Sequence, residues 1–366
     1  MRIAKLDSLR GLFSLMVALY HYDQVFLPNS ICHHFIIRQS ICFVDFFFVL
    51  SGFIIATKYE GIQSSQEFFT YLKKRLIRLY PLLLYTTTIY LCVQLAANFL
   101  FPTLLSTREN LPTLLFAYID TMTFQNATMV FNSLYTSNVG NMGMNFPSWS
   151  ISAEMIIYIL FGWIVLISSK KKINRNWIFG IILFCAVGFS IYKQRFYFTD
   201  DFGYIRGIIS FILGYFVWYI SKKIDKWNPQ LEWIVIILIP IVFYYLNKQS
   251  GIQKEMLALA TTPLLFAISI LIIYKADGFV SRFLSIKPLQ FLGKLSYSIY
   301  LNHILIITII PHLVFAIIGI NKTPIIQIGV LLFTFSSLLF YSYLTYLFIE
   351  KRVGEMLKST FIQIAE

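Results

Sequence analysis

Ten apolar stretches leave this chain few ways to fold. They run over residues 9–27, 35–57, 81–101, 149–168, 177–193, 204–220, 231–247, 255–274, 289–310 and 325–349. Each is near the ~20 residues a helix needs to cross a bilayer. In hydrocarbon every backbone N–H and C=O must find a partner within the protein, and runs of this length do so as helices. Charged residues make up 13% of the chain, about half the share of a soluble domain. The expectation is an all-α polytopic membrane protein with about ten transmembrane helices. The first run carries Arg10 and His21 and no small-residue cleavage site, so it is not expected to be a cleaved signal peptide.

Charge suggests the orientation. With a cytoplasmic N-terminus, ten crossings return the C-terminus to the cytoplasm. The cytoplasmic segments then hold 22 of the 30 Lys and Arg, including "KKRLIR" (Lys73–Arg78), "KKKINR" (Lys170–Arg175) and "SKKIDK" (Ser221–Lys226). The outer segments hold seven, and Arg206 lies within a span. That asymmetry follows the positive-inside rule. The net charge of +13 is therefore assigned to topology and contact with membrane lipids, and nucleic acid is not expected as a partner. Counting Leu111–Phe124 as a further span would turn "KKKINR" outward, so residues 102–148 are placed outside as a long segment with re-entrant or surface helices. One transmembrane domain is expected over 1–358, with a short tail over 359–366, in the inner or plasma membrane. Cys42, Cys92 and Cys185 fall in spans and Cys32 near an outer loop, which offers no disulfide framework.

Within this apolar background the ionisable residues stand out, because each is expensive in a bilayer and is by default a candidate for function. Arg10 and His21 are eleven residues apart, close to three helical turns, so they share a face with an axial separation of roughly 16 Å. Arg10 then lies at the cytoplasmic mouth and His21 near mid-membrane. Ser14 and Val17 fall on the stripe between them, which is narrow enough to serve as a channel if it stays open. In the second span "FVDFFFVLSGF" (Phe43–Phe53) places Asp45 at a depth like that of His21, where it can orient an imidazole and stabilise its protonated form. Gly52 shares the Asp45 face and admits a close helix neighbour.

Five stretches in fixed order carry a family resemblance: "LDSLRG…H" and "VDFFFVLSGF" in the first two spans, then "KKRLIRLYP", "PSWSISAEM" (Pro147–Met155) and "LGKLSYSIYLNH" (Leu292–His303). With the ten-span layout they resemble the acyltransferase 3 family of integral membrane acyltransferases over nearly the whole chain. The resemblance implies transfer of an acyl group, often acetyl, from cytoplasmic acyl-CoA to a carbohydrate or other hydroxyl acceptor at the outer side. The family's arginine–ten residues–histidine motif falls on Arg10 and His21, with the histidine catalytic, and its Arg-x-x-Arg motif on Arg75 and Arg78. Two details depart from the pattern. Asn302 precedes His303 where a bulky aromatic is common, and Glu350-Lys351-Arg352 replaces a Glu-Lys-Pro ending.

The residue chemistry is compatible with that reading. Arg75 and Arg78 project together from one helix face and suit the phosphates of coenzyme A. With Arg10 they are the candidate acyl-CoA-binding residues. His21 suits general-base work on an acceptor hydroxyl, by direct attack or through an acyl-histidine. Asp45 and Glu154 are the further catalytic candidates. Trp149 and Arg206, with Glu154, are expected near the outer boundary as contacts for a surface-glycan or lipid-linked sugar acceptor. His303 is expected to be a packed, hydrogen-bonded residue, and His33, His34 and His312 show no metal-ligand spacing. No nucleophile elbow, Walker A loop or His-Glu-x-x-His pattern is present, which argues against the chemistries those motifs serve. A transporter or flippase for a polysaccharide precursor is the competing class, but it would more typically show related halves with broken helices.

Overall fold

The computed structural model describes residues 3–100, 111–122, 144–199 and 201–361. Helices dominate, and there is no strand among the described residues. The long helices are α1 (Ala4–His21), α2 (Phe43–Lys58), α3 (Ser65–Leu100), α4 (Leu111–Met122), α5 (Ser148–Lys171), α6 (Arg175–Lys193), α7 (Gly203–Ser221), α8 (Glu232–Lys248), α9 (Gly251–Lys275), α10 (Lys287–His312) and α11 (Pro324–Thr345). Nine of the described helices are long and apolar enough to cross a membrane. α1 falls outside that set because Lys5, Asp7 and Arg10 crowd its first two turns. Large apolar side chains such as Trp177, Phe184, Ile325 and Phe340 stand exposed on the outer helices. In water such a surface would aggregate, whereas against acyl chains it is expected.

Several boundaries move from those read in the sequence. α1 ends at His21, because Tyr22 turns to an extended backbone and Asp23 caps a short 3-10 turn by accepting from the Val25 N–H. The basic "KKRLIR" segment and the third span are one continuous helix, α3, 36 residues long and running through Pro81. Of the segment 102–148, the described residues include one apolar helix, α4, of 12 residues. The polar run Asn132–Asn145 lies outside the described residues up to 143.

Glycines set how closely the central helices pack. A Cβ on Gly293 would come within 2.3 Å of the Asp7 carbonyl oxygen, and one on Gly11 within 2.6 Å of Leu292 backbone. α1 and α10 therefore cross backbone to backbone. The same device joins α2 to α7, where a Cβ on Gly52 would lie 2.0 Å from the Phe211 oxygen and one on Gly214 1.9 Å from the Val49 oxygen. The close neighbour expected for Gly52 is thus α7. An aromatic core fills the space beside these crossings, with Phe13 stacked on Phe43 at 4.0 Å between centroids and edge-on to Phe46 at 4.7 Å. Contacts of this kind add about 0.5–1.5 kcal/mol each beyond their buried area.

Candidate active site

Arg10, Arg75 and Arg78 converge on one end of the bundle although α1 and α3 are far apart in sequence. They share the wall of a basin of about 550 Å³ with Lys58, Lys74, Lys294, Lys351 and Lys358. Asp7 forms an ion pair with Arg10 at 3.5 Å, and Glu350, which accepts from Ser298, also lines the basin. The two arginines of α3 differ in setting. Arg78 is exposed. Arg75 is 6% exposed, donates to the Tyr59 hydroxyl at 2.9 Å, and lies over the rings of Tyr59, Tyr71 and Tyr158. Desolvated contacts of a guanidinium with aromatic faces are worth about 2 kcal/mol or more, so Arg75 is held in one place by its surroundings.

A slot of about 90 Å³ continues from the basin toward the membrane interior, with the same three arginines at the junction. Phe47, Ser51 and Ile54 of α2, Ser150 and Glu154 of α5, and Tyr297 and Tyr300 of α10 line it. Glu154 accepts from Ser51 Oγ at 2.7 Å and from the Tyr158 hydroxyl. Tyr158 in turn lies against Arg75, so Glu154 belongs to the network that orders that arginine. The sequence grouped Glu154 with Trp149 and Arg206, and the structure separates it from them.

At the inner limit of the slot, Tyr300 donates or accepts a 2.8 Å hydrogen bond with Ser150, and its own backbone oxygen bonds His303 Nδ1 at 2.6 Å. His303 is fully buried. Its ring lies 5.4 Å from the ring of His21, which is half-buried and also stands edge-on to Phe146 at 5.3 Å. Asn145, beside Phe146, is pinned by donating to the Leu301 oxygen at 3.1 Å and to Thr86 Oγ1 at 3.3 Å. The end of the long 102–148 segment therefore packs against His21 and the turn of α10 that precedes His303.

Ser14 and Val17 do not form an open stripe. They are 0% and 1% exposed, and Ser14 Oγ donates to the Gly11 oxygen. The close α1–α10 crossing leaves no room along that face, and the open path runs between α2, α5 and α10 instead.

Asp45, Arg206 and Trp149 lie together in a separate cluster, and none of them is among the ring partners of His21 or His303. Arg206 donates to Asp45 through Nε at 3.0 Å and Nη2 at 2.7 Å, and Ser210 adds a 3.1 Å bond to the same carboxylate. Both charged side chains have 0% exposure. Trp149 is 2% exposed with its ring 5.6 Å from the Arg206 guanidinium, which Phe196 and Tyr197 also face. A buried guanidinium needs such partners to offset its desolvation, and with them in place these residues offer almost no surface to a ligand. Phe146, Ser51, Tyr158 and Tyr300 were not singled out from the sequence. Ser51 and Tyr300 fall within two of the stretches that carry the resemblance, but as uncharged residues in an aromatic-rich chain none of the four has a chemical signal of its own until the fold places it.

Apolar helices around a basic internal cavity make this a multi-pass membrane protein. The chain belongs to the acyltransferase 3 family (Acyl_transf_3, acyltransferase domain), which it matches over residues 3–347. It is 24% identical over 330 residues to the O-acetyltransferase OatA of Staphylococcus aureus, covering 83% of this chain and 50% of that protein. To the peptidoglycan O-acetyltransferase OatA of Listeria monocytogenes it is 24% identical over 332 residues, 84% of this chain and 50% of the relative. The putative peptidoglycan O-acetyltransferase YrhL of Bacillus subtilis is 23% identical over 355 residues, 89% and 50% of the two chains. The chain thus spans about half the length of these curated relatives. No solved structure matches it.

Proposed function

We propose that this protein is a membrane O-acyltransferase that moves an acyl group, acetyl in the simplest case, from cytoplasmic acyl-CoA to a hydroxyl of a cell-surface or lipid-linked glycan. The observation that carries this reading is the wide basic basin joined to a narrow slot that ends at Tyr300, beside the histidine pair. A nucleotide with three phosphate groups suits the basin, where Arg10, Arg78 and five lysines gather. A slender pantetheine arm suits the slot, and Ser51 and Glu154 there are polar partners for its amides. The basic end is the cytoplasmic end, in keeping with the excess of Lys and Arg on that side. The relatives named for peptidoglycan make a cell-wall sugar hydroxyl the first acceptor to test.

His21 is the reacting residue. In direct transfer it takes the proton of the acceptor hydroxyl as that oxygen bonds to the thioester carbonyl carbon. The carbon–sulfur bond breaks, and the coenzyme A thiolate collects the proton from His21. In the two-step course His21 itself attacks the thioester and expels the thiolate; the acceptor oxygen then displaces the imidazole, and its proton goes to the thiolate. Both courses put a transient positive charge on the His21 ring.

His21→Ala tests the assignment in proteoliposomes given radiolabelled acetyl-CoA and a glycan acceptor. The variant is expected to insert and to bind coenzyme A while transferring nothing. Transfer at the wild-type rate would remove His21 from the chemistry. A wild-type protein that neither binds nor consumes any acyl-CoA would sink the whole reading.

A further inference from the structure

We propose that His303 is a positioning residue for His21, whose Nε2 lone pair accepts a hydrogen bond from the His21 ring as that ring becomes charged. The inference rests on the acyltransferase reading and adds a residue that reading does not require.

A backbone carbonyl only accepts, so the 2.6 Å contact of His303 Nδ1 with the Tyr300 oxygen places the ring proton on Nδ1. In a neutral imidazole the other nitrogen is then a bare acceptor. That nitrogen, Nε2, is buried and has no hydrogen-bond partner among the described residues. Buried polar atoms are usually paired, and this one differs from the other unpaired atoms of the core in lying on a ring packed against His21. The ring beside it is His21, at 5.4 Å between centroids and tilted by 34°. His21 makes no hydrogen bond to a described residue, and its half-buried ring sits among the rings of Tyr20, Phe146 and His303.

The helix geometry makes the meeting a built feature. Gly11 and Gly293 mark the tight crossing of α1 and α10. His21 and His303 each lie ten residues further along their helices, roughly 15 Å at ~1.5 Å per residue. Two helices running in the same direction from a backbone contact bring the two rings to one level. Asn145 grips the Leu301 oxygen, two residues before His303, and holds that turn in place. A second imidazole serves the charge on His21 without adding a permanent charge to an apolar interior, where a carboxylate would be costly.

Two substitutions separate positioning from packing. His303→Asn keeps an N–H where Nδ1 donates to Tyr300 and removes the distal acceptor. His303→Gln loses that local bond and carries an oxygen near the position of Nε2. Each protein is purified in detergent, checked for a monodisperse profile and for coenzyme A binding, and then assayed for acetyl transfer in proteoliposomes beside wild type and His21→Ala. The expected result is a fall in kcat of about 100-fold for His303→Asn with KM for acetyl-CoA unchanged, and a rate within about tenfold of wild type for His303→Gln. On the inactive His21→Ala background, His303→Asn is expected to cause no further loss. The opposite order, Asn active and Gln inactive, would assign His303 to packing alone and overturn the proposal. So would equal wild-type activity in both. Absence of transfer by wild type itself would count against the acyltransferase reading, a result distinct from either of these.

Discussion

Asp45 and Arg206 meet in a two-pronged ion pair with no exposed surface on either side chain. The pair binds α2 to α7 at the level where Ser210 also reaches the carboxylate. Removing one partner leaves an uncompensated buried charge, at a cost of about 3–5 kcal/mol. Asp45→Ala is therefore expected to lower the thermal midpoint of the purified protein sharply, and Asp45→Leu combined with Arg206→Met to lower it less than the single change. Thermal unfolding in detergent measures both. A single variant as stable as wild type would mean that the pair contributes little.

Gly293 carries the second prediction, because even one methyl there meets the Asp7 carbonyl oxygen. Gly293→Ala is expected to cost about 1–3 kcal/mol through overpacking and to shift α10 against α1. Since the two histidines lie beyond the same crossing, acyl transfer should fall with stability. Gly188→Ala is the control, as a Cβ there meets nothing within 4 Å. Equal behaviour of the two variants would show that the crossing tolerates a wider spacing.

The sequence made the spans legible because hydrocarbon demands long apolar helices whatever their neighbours. It also singled out the ionisable residues, whose cost in a bilayer is equally independent of context. What it could not supply was adjacency. Asp45 and Arg206 are 161 residues apart, and nothing in a span's composition says which other span it touches. On sequence alone Asp45 falls to His21 and Trp149 to a sugar. Ser14 and Val17 share a face with Arg10 and His21, which points to a slot along them, but a small-residue stripe serves equally for close helix packing. The latter is what Gly11 and Gly293 make of it.

Arg75 and Arg78 are expected to differ when each is replaced by Ala. Arg78, exposed on the basin wall, should lose one charge-assisted contact to coenzyme A, about 1.5–3 kcal/mol, with no loss of stability. Arg75→Ala should weaken binding and also lower the thermal midpoint, since three tyrosine rings and the Tyr59 hydroxyl lose their partner. Calorimetric titration with coenzyme A beside thermal unfolding separates the two effects. Unchanged affinity in Arg78→Ala would return that residue to a purely topological role.

Ile54 tests the path itself, because it lines both the basin and the slot. Ile54→Trp should obstruct the arm of the donor while leaving His21, His303 and the basic wall untouched. Binding of adenosine 3′,5′-bisphosphate, which lacks the arm, should persist, whereas acyl transfer should fall by roughly tenfold or more, since a 1 Å misplacement can cost ~10²-fold. Val17→Trp makes the contrast. Val17 is 1% exposed in the core, so the larger ring has no space there, and the expected outcome is poor yield of folded protein. Full activity in Ile54→Trp at normal expression would mean that the acyl group reaches His21 by a route other than this slot. A well-folded Val17→Trp protein that binds adenosine 3′,5′-bisphosphate but transfers nothing would put that route back on the α1 face.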